Sequence, residues 1–404
     1  MGSDNYEILK IMERIRDFQE LPRIISSMLS ERSLFLHYLR FFSALIVCLG
    51  HTKEFLFVHM DETAHVLEKV TRLFLGLGTS AVLVFFFLSG YLVGGNEIVN
   101  LVRKKLNFSN YIFNRITRLW IVLLPALLAT FALNALTCRN SKTSLYCTAD
   151  PALASHAEVP PQVSQKISDL ISNAFFLQPF KGTQWGGNGP LWSLSYEFWY
   201  YLVFFSIISI LSFVLKREIS IGLIPHLLIL FVASRILDSD WLILGIIWLS
   251  GALAAYFLKL DSVVTFTSKF QKPIAFKFTL LTLTLILPAL ISLRLFPRIL
   301  SFPIAIILLT TSLSFVQNKN VIQSNGLLRK TIVRGSEYSF SLYLTHFPLI
   351  ALATSFFVPV DRWRMSPFGI FVLILLTLVA LLTAYAFAWL TEFNLAQVRI
   401  AFRS

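Results

Sequence analysis

Long apolar runs recur from one end of the chain to the other, and each is close to the length of a membrane-spanning helix. A helix needs roughly 20 apolar residues to cross the hydrocarbon core of a bilayer. Ten segments meet or approach this length, at about 34–55, 72–94, 113–136, 190–215, 219–236, 240–259, 277–293, 298–316, 335–358 and 367–391. The fifth and sixth are short enough to be re-entrant instead. We therefore expect an all-α protein, a polytopic transmembrane helical bundle of about ten spans.

Charged residues are too few to cover a soluble surface of this size. They make up 14% of the 404 residues, against about a quarter in soluble proteins. The net charge of +13 raises the question of nucleic-acid binding, but the basic residues are spread over many short loops instead of forming a patch. That spread is typical of the positive-inside rule. We expect membrane lipids as partners and no nucleic acid.

The distribution of Lys and Arg also predicts an orientation. An even number of spans places both termini on one side, and the segments on that side hold about two Lys or Arg for each one on the other side. We expect a cytoplasmic N-terminal extension at 1–33 with no cleavable signal peptide, a membrane domain at 34–395 and a cytoplasmic tail at 396–404. The longest loop, about 137–189, then lies outside the cytoplasm.

Two of the three cysteines lie close together in that loop. Cys138 and Cys147 are a candidate disulfide, which would stabilise the fold by roughly 2–3 kcal/mol, and free thiols are the alternative. Cys48, within the first span, is expected to pack as an apolar residue. The sequence has no metal-ligand spacing, no phosphate-binding glycine loop and no internal repeat, so we predict no bound metal.

Arg40 and His51 lie on the first span, where polar groups are costly. They are eleven residues apart, so on a helix they point in nearly the same direction and lie about 16 Å apart along the axis. One face then carries a cation near the cytoplasmic end and an imidazole further along. The alternative is an arginine that reaches back to the membrane surface and a histidine satisfied in the core.

A second pair of cations begins the third span. Arg115 and Arg118 are spaced i and i+3 and form one patch on a helix. Paired guanidinium groups suit phosphates because they form bidentate hydrogen bonds. From spacing alone, ordinary anchoring by positive charges is the simpler explanation of the pair.

Two further stretches carry polar residues at membrane depth. In "WGGNGPLWSLSYEFWYYL" a glycine-rich loop leads into a span that contains Glu197, and a carboxylate there needs a cation or a hydroxyl as partner. An interfacial aromatic belt accounts for the tryptophans of this stretch but not for Glu197. In "YSFSLYLTHFPLI" His346 follows Tyr343 by about one turn, and a satisfied core histidine is the alternative reading. Glu392 is expected at the surface or in a salt bridge.

Five stretches together resemble the acyltransferase-3 family of integral membrane O-acyltransferases, in the order found in that family. The resemblance covers roughly residues 33–395. The stretches are Arg40-x10-His51, "FFFLSGYL" at 85–92, "FNRITRLW" with Arg115 and Arg118, "LWSLSYEFWYYL" at 191–202 and "YSFSLYLTHFPLI" at 338–350.

The resemblance implies transfer of an acyl group, usually acetyl, from cytoplasmic acyl-CoA to a hydroxyl. The implied acceptor is a carbohydrate or lipid-linked glycan, such as lipopolysaccharide O-antigen or another surface polysaccharide, and the implied location is a bacterial inner membrane. Acetyl-CoA is then a donor substrate and no cofactor is bound permanently. The expected catalytic residues are His51, as general base or transient acyl carrier, and Glu197, which would orient the imidazole or the acceptor hydroxyl. The expected acyl-CoA-binding residues are Arg40, Arg115 and Arg118, and the expected acceptor-binding residues are Asn188, Trp192, Tyr343 and His346.

Three alternatives remain open at this point. The acceptor could be a small molecule or a lipid instead of a glycan. A transporter would also have many spans and buried charges, although repeat symmetry and carboxylates for ion coupling are scarce here. A membrane protein with a purely structural role is the third.

Overall fold

The computed structural model describes residues 34–58, 77–139, 165–180, 182–216, 220–236, 238–257, 326–359 and 362–403. Over these ranges the chain is helical, and no strand occurs in them. One isolated β-bridge, between Phe57 and Trp363, is present in these ranges. The predicted all-α fold class is therefore confirmed.

Twelve α-helices in the described ranges are numbered here in chain order. They are α1 Leu34–Leu56, α2 Gly78–Ser89, α3 Gly95–Val102, α4 Phe108–Arg139, α5 Ile167–Ala174, α6 Leu191–Lys216, α7 Ile224–Ala233, α8 Ser239–Phe257, α9 Gly326–Glu337, α10 Ser339–Ser355, α11 Pro367–Leu390 and α12 Leu395–Ala401. A π-helix, Gly90–Gly94, joins α2 to α3, and a 3₁₀ turn, Trp185–Gly187, precedes α6.

Six helical segments in the described ranges are long and apolar enough to cross a membrane. They are Leu34–Leu56, Ser80–Val102, Phe108–Arg139, Leu191–Lys216, Ser239–Phe257 and Pro367–Ala401. The chain is thus a polytopic bundle, and Ile221–Ile236 is a shorter apolar helix. The predicted spans 277–293 and 298–316 lie outside the described residues, as does the N-terminal extension 1–33, so the count of ten stays a prediction.

Helices α1 and α10 run side by side in the same direction. His37 near the start of α1 is hydrogen-bonded to Ser336, in the last turn of α9 just before α10, and His51 near the other end of α1 is hydrogen-bonded to His346. Beyond the two helices, Trp363 N donates to Leu56 O at 2.8 Å. This parallel alignment places His51 of α1 and His346 of α10, which are distant in sequence, at the same level of the bundle.

Helices α2 and α8 cross in very close contact. A Cβ atom at Gly90 would overlap the backbone carbonyl of Trp248, and one at Gly251 would overlap the carbonyl of Phe87. Small residues at a crossing allow helix backbones to approach, which is a common basis of packing within membranes. The π-helix begins at this contact, and such insertions are frequent at functional sites.

The loop before α6 is inserted between helices. Trp185 donates from Nε1 to the carbonyl of Leu127 at 3.1 Å, and Asn134 donates from Nδ2 to the carbonyl of Gly186 at 2.6 Å. Gly186 adopts a φ of 58°, a left-handed conformation that favours glycine. Backbone groups buried in a membrane bundle need partners of this kind, and α4 supplies them.

Candidate active site

A cavity of about 90 Å³ lies where α1, α2, α4, α6 and α10 meet. At 10–15 Å³ of such volume for each water, it holds about half a dozen water-sized groups. It therefore fits a small acyl group or a single phosphate group, and the nucleotide part of a larger ligand would have to lie outside it. The lining residues are Arg40, Val82, Phe85, Phe86, Leu88, Ser89, Leu92, Val93, Arg118, Leu119, Ser193, Leu194, Glu197, Tyr201, Ser339, Phe340 and Tyr343.

Two predicted donor-binding arginines, Arg40 and Arg118, line this cavity from α1 and α4. Neither guanidinium has a hydrogen bond or an ion pair to any residue that the structure describes. Their charges interact with one another and with those of Glu197 and Glu392. Two cations at membrane depth with no hydrogen-bonded partner are costly, and an anionic ligand would remove that cost.

The third predicted donor-binding arginine, Arg115, does not line the cavity. Its guanidinium lies 5.9 Å from the ring centroid of Tyr111 on the same helix. Helix α12 adds positive charge beside it, because Arg399 donates to Thr117 Oγ1 at 3.1 Å and to the carbonyl of Asn114 at 2.6 Å. Arg115 of α4 and Arg399 of α12 thus form a cationic surface beside the N-terminal end of α4, close to Arg118 of the cavity.

Glu197 terminates a chain of directed hydrogen bonds. Trp248 Nε1 can only donate, and it donates to Ser89 Oγ at 3.1 Å. Tyr201 donates its proton to Glu197 Oε1 at 2.5 Å, so Ser89 is the donor in its 3.0 Å contact with the Tyr201 hydroxyl. Each donor in this chain polarises the next, so the hydrogen bonds strengthen one another and fix the position of the Glu197 carboxyl group.

His51 forms its hydrogen bond with His346, and not with Glu197. His51 Nδ1 and His346 Nε2 are 2.8 Å apart. The two rings lie within 11° of one plane with centroids 5.1 Å apart, which is edge-to-edge geometry and not a face-to-face stack. Within the described ranges Glu197 has no hydrogen bond to His51, and its two predicted roles, orienting the imidazole or the acceptor hydroxyl, stay predictions.

Tyr343 connects the histidine pair to the cavity. It lines the cavity wall, its hydroxyl is 2.7 Å from Ser193 Oγ, and its ring centroid is 6.2 Å from that of His346. Arg40, Arg118, Glu197 and Tyr343 thus share one cavity, and His51 and His346 lie behind it.

The other residues predicted to bind the acceptor lie away from the cavity lining. Asn188 is fully buried, and its Nδ2 donates to the carbonyl of Leu344 at 2.9 Å and to Thr130 Oγ1 at 3.2 Å. Trp192 packs against Phe86 and Tyr196. Their contacts are those of packing residues, and a role in binding the acceptor stays a prediction.

Three further predictions concern the cysteines and one glutamate outside the cavity lining. Cys147 lies outside the described ranges, so its disulfide with Cys138 stays a prediction. Cys48 is a free, fully buried cysteine, as expected for a packed apolar residue. Glu392, expected at the surface or in a salt bridge, is partly buried and accepts hydrogen bonds from the backbone N and the hydroxyl of Ser341, at 3.2 and 3.0 Å, near the start of α10.

Sequence reasoning missed several residues of the site, namely Ser89, Ser193 and Tyr201. A usable signal was present on α6, since Ser193, Glu197 and Tyr201 follow one another at intervals of four and so share one helix face. The contribution of Ser89 and Trp248 depends on the crossing of α2 and α8, for which the sequence of either helix alone gives no indication.

Comparison with known proteins gives the site a family. No curated protein and no solved structure matches the chain. The model of the acyltransferase-3 family, described as an acyltransferase domain, matches residues 33–391. This range includes all the helices that form the cavity and the histidine pair. The chain is therefore a multi-pass membrane acyltransferase, and it belongs to the acyltransferase-3 family.

Proposed function

We propose that this acyltransferase moves an acetyl group from cytoplasmic acetyl-CoA to a hydroxyl of a surface glycan, such as lipopolysaccharide O-antigen. The observation that carries the proposal is that Arg40 and Arg118 line one cavity and that neither guanidinium is hydrogen-bonded to a residue within the described ranges. Guanidinium groups bind phosphate through bidentate charge-assisted hydrogen bonds.

The spacing along α1 supports a donor that is long and anionic at one end. Arg40 and His51 lie on one continuous helix, so their backbone positions are about 16 Å apart along the axis. Acyl-CoA carries its phosphates and its thioester at opposite ends of an extended pantetheine arm. With its phosphates on the arginines of α1 and α4, the thioester can reach the level of the histidine pair.

The proposed chemistry uses His51 as general base. The acceptor hydroxyl gives its proton to His51 while its oxygen attacks the thioester carbonyl and forms the new C–O bond. The C–S bond then breaks, and the departing thiolate takes the proton back from His51. The products are an O-acyl ester and free CoA, and no other reactant is needed.

The proposed setting is a bacterial inner membrane with both termini in the cytoplasm. The cationic surface formed by α4 and α12 then faces the acyl-CoA pool, and the histidine end of α1 faces the outer half of the bilayer, where a lipid-linked or surface glycan arrives. The excess of Lys and Arg on the side of the termini supports this orientation.

The test uses purified protein in nanodiscs with acetyl-labelled acetyl-CoA. Wild type, His51→Ala and Arg115→Ala/Arg118→Ala are compared for bound donor, released CoA and label retained on the protein. His226→Ala is the matched control, because His226 is also a buried histidine but lies on α7, where it contacts Ser206 at 3.3 Å.

We expect wild type to bind acetyl-CoA saturably and Arg115→Ala/Arg118→Ala to lose this binding. We expect His51→Ala to bind acetyl-CoA but to release no CoA. Label that stays on wild type but not on His51→Ala would replace direct transfer by an acyl-histidine relay. Absence of binding to well-folded wild type would overturn the proposal and favour a different acyl donor. Unchanged turnover of His51→Ala would remove His51 from the mechanism.

A further inference from the structure

We propose that His346 is a positioning residue that holds His51 in the one tautomer able to act as base toward the acceptor. This inference rests on the proposed function for its kinetic consequence, but its geometric core stands on hydrogen bonds within the chain. Sequence reasoning expected His346 to bind the acceptor. Its two ring nitrogens are instead both engaged inside the protein.

The direction of each hydrogen bond follows from which atoms can accept. His346 Nδ1 lies 2.7 Å from the carbonyl oxygen of Leu342, and a carbonyl only accepts, so Nδ1 carries the proton. A neutral imidazole has one N–H, so His346 Nε2 has a lone pair. The partner of that lone pair, 2.8 Å away, is His51 Nδ1, which must therefore be the donor.

The consequence for His51 is that its basic nitrogen is Nε2. The single N–H of the neutral ring is committed at Nδ1, and the lone pair is on the opposite side of the ring. If His346 Nε2 became the donor and His51 Nδ1 the acceptor, the neutral His346 ring would lose the proton at Nδ1 that it donates to the Leu342 carbonyl. Orientation by a hydrogen-bonded third group is what activates imidazole bases in other enzymes.

The surroundings keep the pair in register. His346 is fully buried, and the ring of Phe347 meets that of His51 edge to face with centroids 5.1 Å apart. Cys48, Phe55 and Phe347 belong to the apolar cluster beside the pair. In such surroundings an unmade hydrogen bond has no water to replace it, so the N–H···N bond selects one arrangement strongly.

During transfer the pair has a defined task. His51 Nε2 takes the proton of the acceptor hydroxyl and later returns it to the thiolate. While His51 is positively charged, its Nδ1–H bond to His346 becomes charge-assisted and stabilises it. His346 thus touches neither donor nor acceptor, and it acts through His51.

The first readout is spectroscopic and does not depend on activity. The chain has seven histidines, and nitrogen-15 labelling of histidine in nanodisc samples distinguishes Nδ1–H from Nε2–H. His51→Gln identifies the signal of His51. We expect Nδ1–H for His51 in wild type and in His346→Gln, whose amide oxygen can accept in place of Nε2. In His346→Leu we expect a mixture that includes Nε2–H.

The second readout is kinetic. We expect His346→Leu to lower kcat by about 10²-fold or more with an unchanged KM for the donor, since the contribution of a positioned base is of this order. His346→Gln should recover most of that loss, because it restores the acceptor to which His51 Nδ1 donates. His226→Gln, at a buried histidine away from the site, is the matched control and should leave both constants unchanged.

The outcomes separate this inference from the proposed function. Nε2–H for His51 in wild type, or full kcat in His346→Leu, would overturn the positioning role. If His346→Leu does not fold, the positioning role is tested by the wild-type tautomer of His51 and by the kinetics of His346→Gln. A kcat of His346→Gln as low as that of His51→Ala would then contradict the positioning role. Nδ1–H for His51 in a wild type that uses no acetyl-CoA would overturn the proposed donor and leave the positioning role standing.

Discussion

Two arginines and a glutamate line one cavity without pairing. Arg40, Arg118 and Glu197 are near enough for their charges to interact, yet no hydrogen bond or ion pair joins them. Opposite charges at membrane depth ordinarily pair with one another. Here Glu197 accepts a hydrogen bond from the Tyr201 hydroxyl instead, and among the residues that the structure describes neither guanidinium has a hydrogen-bond partner.

Glu197→Gln tests this arrangement of charge. The amide keeps an oxygen for the Tyr201 hydroxyl but removes a negative charge beside the arginines, so we expect CoA to bind about 5- to 10-fold more tightly. Isothermal titration with CoA measures the change. Weaker binding would contradict the charge-balancing role. A simultaneous fall in kcat would support the catalytic role that the sequence predicts for Glu197.

At the scale of elements, the site depends on how closely α2 and α8 approach. The hydrogen bond from Trp248 to Ser89 begins the chain that ends at Glu197, and it forms only because Gly90 and Gly251 allow the two backbones to touch. The π-helix that follows Ser89 turns Leu92 and Val93 toward the cavity. Packing between these helices thus determines the hydrogen bonding of Glu197.

Gly251→Ala tests that dependence. The new methyl group would meet the backbone of Phe87, which cannot move without shifting α2, so we expect a loss of about 1–3 kcal/mol in stability. The loss of stability is measured as a lower midpoint, the temperature at which half of the protein is no longer monodisperse. Gly245→Ala on the same helix is the control, because its methyl group would meet only the side chain of Tyr200, at 3.2 Å. Equal midpoints for the two variants would contradict the account.

The elements differ in how far sequence could predict them. The polar residues of α1 and α4 stand out because charge in an apolar run is costly, and the structure brings Arg40 and Arg118 to one cavity. His51 and His346 also stand out, but their contact depends on the parallel alignment of α1 and α10, which are almost 300 residues apart in the chain. Helical periodicity relates residues within one helix and does not give the pairing of helices.

At the scale of the whole molecule, hydropathy predicts the fold class well and the segment limits less well. The predicted span 72–94 corresponds to Ser80–Val102, because the helical backbone continues through the π-helix and into α3, past the end of the apolar run. The predicted span 335–358 is divided between α9 and α10 at Tyr338. Length and polarity reveal a bilayer-sized run, whereas the breaks within it depend on neighbouring helices.

The orientation of the whole chain can be tested with terminal fusions. We expect green fluorescent protein at the C-terminus to fluoresce and alkaline phosphatase at the same position to be inactive, because the excess of Lys and Arg predicts that both termini lie in the cytoplasm. Insertion of the two reporters in the loop after α4 should give the reverse pattern. An active phosphatase at the C-terminus would reverse the side on which donor and acceptor are expected.

The most direct test of the central claim is the affinity of the purified protein for acetyl-CoA when the two cavity arginines are removed. We expect Arg40→Gln/Arg118→Gln to weaken binding by about 100-fold or more, since each hydrogen bond between charged groups contributes about 1.5–3 kcal/mol. The control Arg103→Gln/Lys104→Gln loses the same charge from exposed positions just before α4, and we expect a change of less than about threefold. Equal weakening in both variants, or none in either, would contradict the assignment of this cavity to an acyl-CoA donor.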